Sequence, residues 1–72
     1  MTDTAMLDNL ISSSGYKYSF VAKQLNISYQ ALRNKIDNKS EFLPTEIEKL
    51  CELLRIKSLE LKNRIFFAKF DE

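Results

Sequence analysis

With 72 residues, 44% of them apolar, and a net charge of +1, the chain has room for one small domain that buries only about 60% of its unfolded surface. No histidine and a single cysteine, Cys51, exclude histidine general-base chemistry, Cys–His nucleophile pairs, His/Cys zinc sites and an internal disulfide. No run approaches the roughly 18 apolar residues of a membrane span, and MTDTAMLDN lacks a signal-peptide pattern, so the expectation is a cofactor-free binding protein, not an enzyme, in a reducing cytoplasm.

One Gly and one Pro give strand-and-turn architectures little punctuation. Hydrophobic periodicity is helical nearly throughout, without repeats or low-complexity tracts. The first predicted helix runs from about residue 4 to 13 behind a cap at Asp3 or Thr2, and Gly15 suits its left-handed end. A second, about 18 to 25, carries Tyr18, Val21, Ala22 and Leu25 on one stripe and stops at Asn26, which tolerates positive φ. Ser28 caps a third helix, about 29 to 37, with Ala31, Leu32 and Ile36 inward and Asn38 as its stop. Thr45 and Glu48 fit a capping box that opens a fourth helix, about 46 to 54, striped by Ile47, Leu50, Cys51 and Leu54. Ser58 caps a fifth beginning at Leu59. The predicted fold class is therefore all-α, with five short helices in one domain spanning 1–72.

The end of the chain is anomalous. On a wheel of about 100° per residue, Leu61, Ile65 and Ala68 share one face of a helix over 59–70, while Leu59, Phe66 and Phe70 lie almost opposite. One helix on a small core buries a single stripe. Either the helix stops near Arg64 and Ile65-Phe66-Phe67 wraps the core irregularly, or some rings are left for a partner.

The densest functional signal is YKYSFVAKQLNISYQALRNKIDNKSEF, residues 16–42. Two short helices separated by Asn26-Ile27-Ser28 make a helix-turn-helix arrangement over about 18–37. Ala22 falls where the two helices approach most closely. Gln30, Arg33 and Asn34 lie on the outward face of the third helix, with Tyr29 at its edge. Arg suits bidentate donation to guanine, and Gln and Asn suit adenine. Lys17, Lys23, Lys35 and Lys39 surround the motif as candidate phosphate contacts. Residues 16–40 hold five Lys/Arg and one acid, a local net of +4, whereas the rest holds six Lys/Arg and nine acids, a net of −3. A near-neutral total hides a basic half. Against this stands the plain alternative of a solvated polar helix face.

The spacing of Ala22, Leu25, Ile27, Ser28 and Leu32 resembles the A-x-x-L-x-[VI]-S-x-x-x-[IL] pattern of the lambda-repressor-like (Cro/repressor) helix-turn-helix regulators. NKIDNKSEF, PTEIEKLCELLRI and IFFAKF are similar to segments of small regulators from temperate phages of Gram-positive hosts. The resemblance implies a lambda-repressor-like fold and a role in the lysis–lysogeny switch, in the host bacterial cytoplasm. It further implies an antirepressor that binds the N-terminal helix-turn-helix domain of the phage repressor, with operator DNA as the other partner to consider. Membranes and small-molecule substrates are not implied. The chain departs from the family pattern at Tyr18, where Gln is usual, at Tyr29, where Arg or another polar donor is common, and at Asn38, where Gly is usual. Two lost donors favour protein contact over autonomous DNA binding.

Two sets of site residues follow. Tyr29, Gln30, Arg33, Asn34, Lys17 and Lys39 form the candidate DNA-binding set. Phe42, Ile47, Leu50, Ile65, Phe66 and Phe67 form the candidate partner-binding set, centred on an aromatic C-terminal tail over 65–70. Phe20 lies opposite its helix's apolar stripe, with contact to that tail or exposure to a partner as the alternatives. Cys51 reads as a buried, inert thiol.

Overall fold

A computed structural model describes residues 1–68. Five α-helices form in the expected places: α1 (Thr4–Ser14), α2 (Tyr18–Gln24), α3 (Tyr29–Ile36), α4 (Pro44–Leu53) and α5 (Leu59–Phe66). Among the described residues there is no strand, and no helix is long and apolar enough to cross a membrane. Phe70, expected in the aromatic tail, lies outside the described residues.

The helix starts follow from side-chain caps. Asp3 accepts from the Met6 N–H, Ser28 from the Ala31 N–H and Ser58 from the Leu61 N–H, each relieving one of the orphan donors of a first turn. α4 departs from expectation. It begins at Pro44, two residues early, and the Thr45/Glu48 box does not form. Pro44 has no N–H to leave unsatisfied at this position, and the Glu46 carboxylate accepts from the Leu43 N–H at 2.8 Å instead.

The helix ends repeat one device. Asn26, Asn38 and Arg55 all adopt left-handed φ, at 60°, 65° and 57°. In each case the next residue's N–H reaches back five positions: Ile27 to Ala22 O, Lys39 to Asn34 O and Ile56 to Cys51 O. This is the Schellman termination. The two Asn stops were legible because Asn tolerates this region; Arg55 carries no such signature. Gly15, at φ 83°, ends α1.

Leu7 and Ile11 from α1, Val21 and Ala22 from α2, Leu32 and Ile36 from α3, Ile47 and Leu50 from α4, and Ile65 and Phe66 from α5 belong to one buried cluster. Ala22 sits where α2 and α3 pack, as its size suggests. The buried state of Ile65 and Phe66 corrects the wheel argument for the tail. α5 does run helically past Arg64, yet both residues, about 100° apart on it, are covered. A wheel supposes one covering surface. The last turn of α5 meets two: the segment ahead of α1, whose Asp3 N–H donates to Ile65 O, and Phe42, whose ring meets that of Phe66 edge-to-face at 5.6 Å. Leu59, one helical end away, remains exposed.

Candidate functional site

The exposed part of the α2–turn–α3 unit begins with Tyr29 and Gln30 in the first turn of α3. Tyr29 is 53% exposed, and it lines a groove of about 320 Å³ with Ser19, Lys23, Asn26 and Ser28. Gln30 is exposed, but its Nε2 donates to Asn34 Oδ1 at 3.0 Å, so the two amides meant for adenine are partly satisfied by one another. Asn34 itself is half-buried. Its backbone carbonyl accepts from Lys39 and Ser40, closing the turn after α3.

Arg33 is where the structure changes the reading. Its Nη2 donates to Asp8 on α1 and to Asp37 one turn along α3, and its Nε donates to Asp37 Oδ2 at 3.1 Å. The guanidinium also lies over the Tyr18 ring, 5.6 Å from its centroid. Tyr18 completes the cluster by donating its hydroxyl to Asp8 Oδ1 at 2.8 Å. Hydrogen bonds donated to Asp37 and then to Asp8 hold Arg33 charged far above the arginine range, and the bond accepted from Arg33 holds the Asp37 carboxyl below the usual carboxylate range. With Nε and Nη2 both engaged, no free two-donor fork remains for a guanine edge. Arg33, expected to read DNA, is instead a tie between α1, α2 and α3. Sequence spacing could show only the Arg33–Asp37 half; Asp8 is 25 residues away.

The basic character of residues 16–40 shrinks for the same reason. Arg33 is neutralised, and Lys35 is paired with Glu46 in a largely buried ion pair between α3 and α4. Among the described residues, Lys17, Lys23 and Lys39 remain without a salt-bridge partner. Lys17 caps α2 with its backbone, and Lys39 follows α3, so the two flank opposite ends of the unit. Of its two alternatives, Phe20 takes exposure, and the described residues give it a ring partner of its own. It is 40% exposed and stacks on Tyr16 at 5.1 Å.

The expected partner-binding set is divided by the fold. Ile47, Leu50, Ile65 and Phe66 are core residues, Phe66 being only 4% exposed, because a chain of this size needs their area to hold its helices together. They do not form an open surface. Phe67, 54% exposed, and half-buried Phe42 do reach solvent. They stand on the rim of a hollow of about 150 Å³ whose floor includes Ile47 and Phe66 and whose edge is formed by Met1, Thr2 and Asn38. Exposed Leu43 follows Phe42 in the chain.

Cys51 is partly exposed, not fully buried. Burial pushes its thiol pKa up, with Lys62 opposing and Glu48 adding to the shift, so the thiolate is disfavoured. Among the described residues no cluster of three or more His, Cys, Asp or Glu could hold a metal ion. No protein-family model, no curated protein and no solved structure matches this chain.

Proposed function

We propose that the chain is a non-enzymatic regulator of a phage-type transcription switch. In this reading it is a lambda-repressor-like helix-turn-helix protein acting as an antirepressor in the host bacterial cytoplasm. Its partner is the N-terminal helix-turn-helix domain of the phage repressor, which it keeps from operator DNA. It uses no cofactor, membrane or small-molecule substrate.

The engagement of Arg33 by Asp8 and Asp37 carries this reading. It withdraws the strongest base-reading side chain of the third helix while keeping the scaffold intact. What the surface offers instead is aromatic: Phe67 and Phe42 around a hollow floored by Phe66. Aromatic rings that a partner buries at the centre of an interface commonly supply much of its binding energy.

The test is calorimetric titration of the repressor's N-terminal domain with wild type, Phe67→Ala and the remote control Phe20→Ala. Loss of Phe67 is expected to weaken binding about thirtyfold, equivalent to about 2 kcal/mol, with Phe20→Ala near wild type. Unchanged affinity in Phe67→Ala rejects the surface, and no binding by any form rejects the antirepressor role.

A second reading has its own support: Tyr29 and Gln30 are exposed, and Lys23 shares a groove with Tyr29. A Cro-like operator binder would use them, as a dimer over half-sites about one DNA turn apart. Gel shifts across a salt series separate the two readings. Duplex binding by the protein alone that falls steeply with salt and is lost in Gln30→Ala supports the operator binder.

A further inference from the structure

Two aromatic rings at the start of α2 are left in water. Tyr16 and Phe20 are 39% and 40% exposed, and their rings stack at 5.1 Å with 30° between their planes. The local chain holds Tyr16 in place: Gly15 turns through φ 83°, and the Tyr16 N–H donates to Ser14 Oγ at 3.1 Å. The pair stands apart from the core, to which the same helix gives Val21 and Ala22.

The charge beside the pair has one sign. Residues 9–36 contain no acid, and the acids that bracket them, Asp8 and Asp37, are both engaged by Arg33. Lys17 and Lys23 precede and follow Phe20 by three residues, which puts all three on one side of α2. Both lysines are exposed and, among the described residues, have no salt-bridge partner. Lys23 also lines the groove of Tyr29, a third exposed ring.

Flat aromatic faces set between cations fit a partner that is anionic and has flat faces of its own. A single strand of nucleic acid has both, since its unpaired bases stack on rings while its phosphates meet lysines. A duplex does not, because its bases are stacked on one another and show only their edges in the grooves. An acidic amphipathic peptide fits less well. The exposed side chains around Phe20 on α2 are Ser19, Lys23 and Gln24, not a second apolar row.

We propose that Tyr16, Phe20, Lys17 and Lys23 form a binding patch for single-stranded nucleic acid, with a base stacked on the ring pair and phosphates held by the two lysines. Neither ring of the pair takes part in the antirepressor or operator readings, so the proposal stands or falls apart from both.

The test is fluorescence anisotropy of the full chain with labelled short oligo(dT), with oligo(rU), and with an abasic strand of the same length. Oligo(dT) should bind about tenfold or more tighter than the abasic strand, and Phe20→Ala should remove about tenfold of that affinity at an unchanged thermal melt. The logarithm of the binding constant should fall with the logarithm of salt at a slope of about −1.4 for two phosphate contacts, and of about −0.7 in Lys23→Gln. Phe20→Trp gives a chain without tryptophan one indole at this position. It should keep wild-type affinity, and its fluorescence should be quenched by oligo(dT) and not by the abasic strand. Equal affinity for oligo(dT) and oligo(rU) supports a patch indifferent to the sugar, and a preference assigns it to DNA or to RNA. Equal affinity for the abasic strand, an unaffected Phe20→Ala, or no binding up to about 100 µM protein at low salt overturns the proposal. Phe20-dependent binding of a helical Glu/Leu peptide, with none of oligo(dT), overturns it in favour of a protein partner.

Discussion

Asp8 on α1 holds Arg33 on α3, with Oδ2 3.0 Å from Nη2 and both side chains about one-third exposed or less. Asp8 also accepts from Tyr18 on α2, so a single carboxylate fixes the position of the third helix against the first two. The pair has a function beyond stability in the proposed scheme, since it withholds a base-reading group.

Asp8→Asn should therefore have two effects. Stability should fall by about 1 kcal/mol in urea denaturation, the scale of a partly exposed charge pair with a second hydrogen bond. Binding to duplex DNA, read by fluorescence anisotropy, should increase, and Arg33→Gln in the same background should remove the increase. A gain that survives Arg33→Gln reflects net charge alone and denies Arg33 a masked role.

The pH dependence has a definite sign. Arg33 lowers the Asp37 pKa in the folded state, so this group contributes stability that is present above the unfolded Asp value of about 3.9. That contribution is lost as pH falls through the lower folded value. Thermal melts between pH 5 and pH 2 should show wild type losing stability more steeply than Arg33→Gln. Parallel profiles would mean that the Arg33–Asp37 contact does not persist in solution.

Phe66 and Phe67 are neighbours in sequence and opposites in energetics. Phe66→Ala removes a buried ring and should cost about 3–5 kcal/mol, enough to threaten folding in a small domain. Phe67→Ala should change stability by less than about 0.5 kcal/mol. Comparing their melting temperatures tests the burial pattern independently of any partner.

Arg55 occupies a left-handed position that glycine adopts freely. Arg55→Gly should raise stability by roughly 0.5 kcal/mol, the relief of a 1–2 kcal/mol steric cost less the entropy glycine adds to the unfolded chain. A lower urea midpoint would show that Arg55 makes a compensating contact.

Most of the fold was written locally. Asp3, Ser28 and Ser58 start helices because a short oxygen-bearing side chain can satisfy its own chain's first-turn donors, and Asn26 and Asn38 stop them because asparagine tolerates positive φ. Those are interactions over three to five residues, and together with the apolar periodicity they made all five helices legible. The start of α4 was misplaced because two overlapping patterns competed, and Pro44 with Glu46 prevailed over Thr45 with Glu48.

The site was less legible because its character depends on residues far apart in the chain. The sequence alone determined which residues could face outward on α3, but not that Arg33 would be consumed by Asp8. It located an excess of apolar rings near the end of the chain, but not that Phe66 would be buried against Phe42 while Phe67 stayed exposed. Period and composition describe one helix at a time. Whether a charge is free or a ring is wet depends on what another segment brings to it, and only the tertiary packing of α1, the residues ahead of it, α3 and α5 decides that.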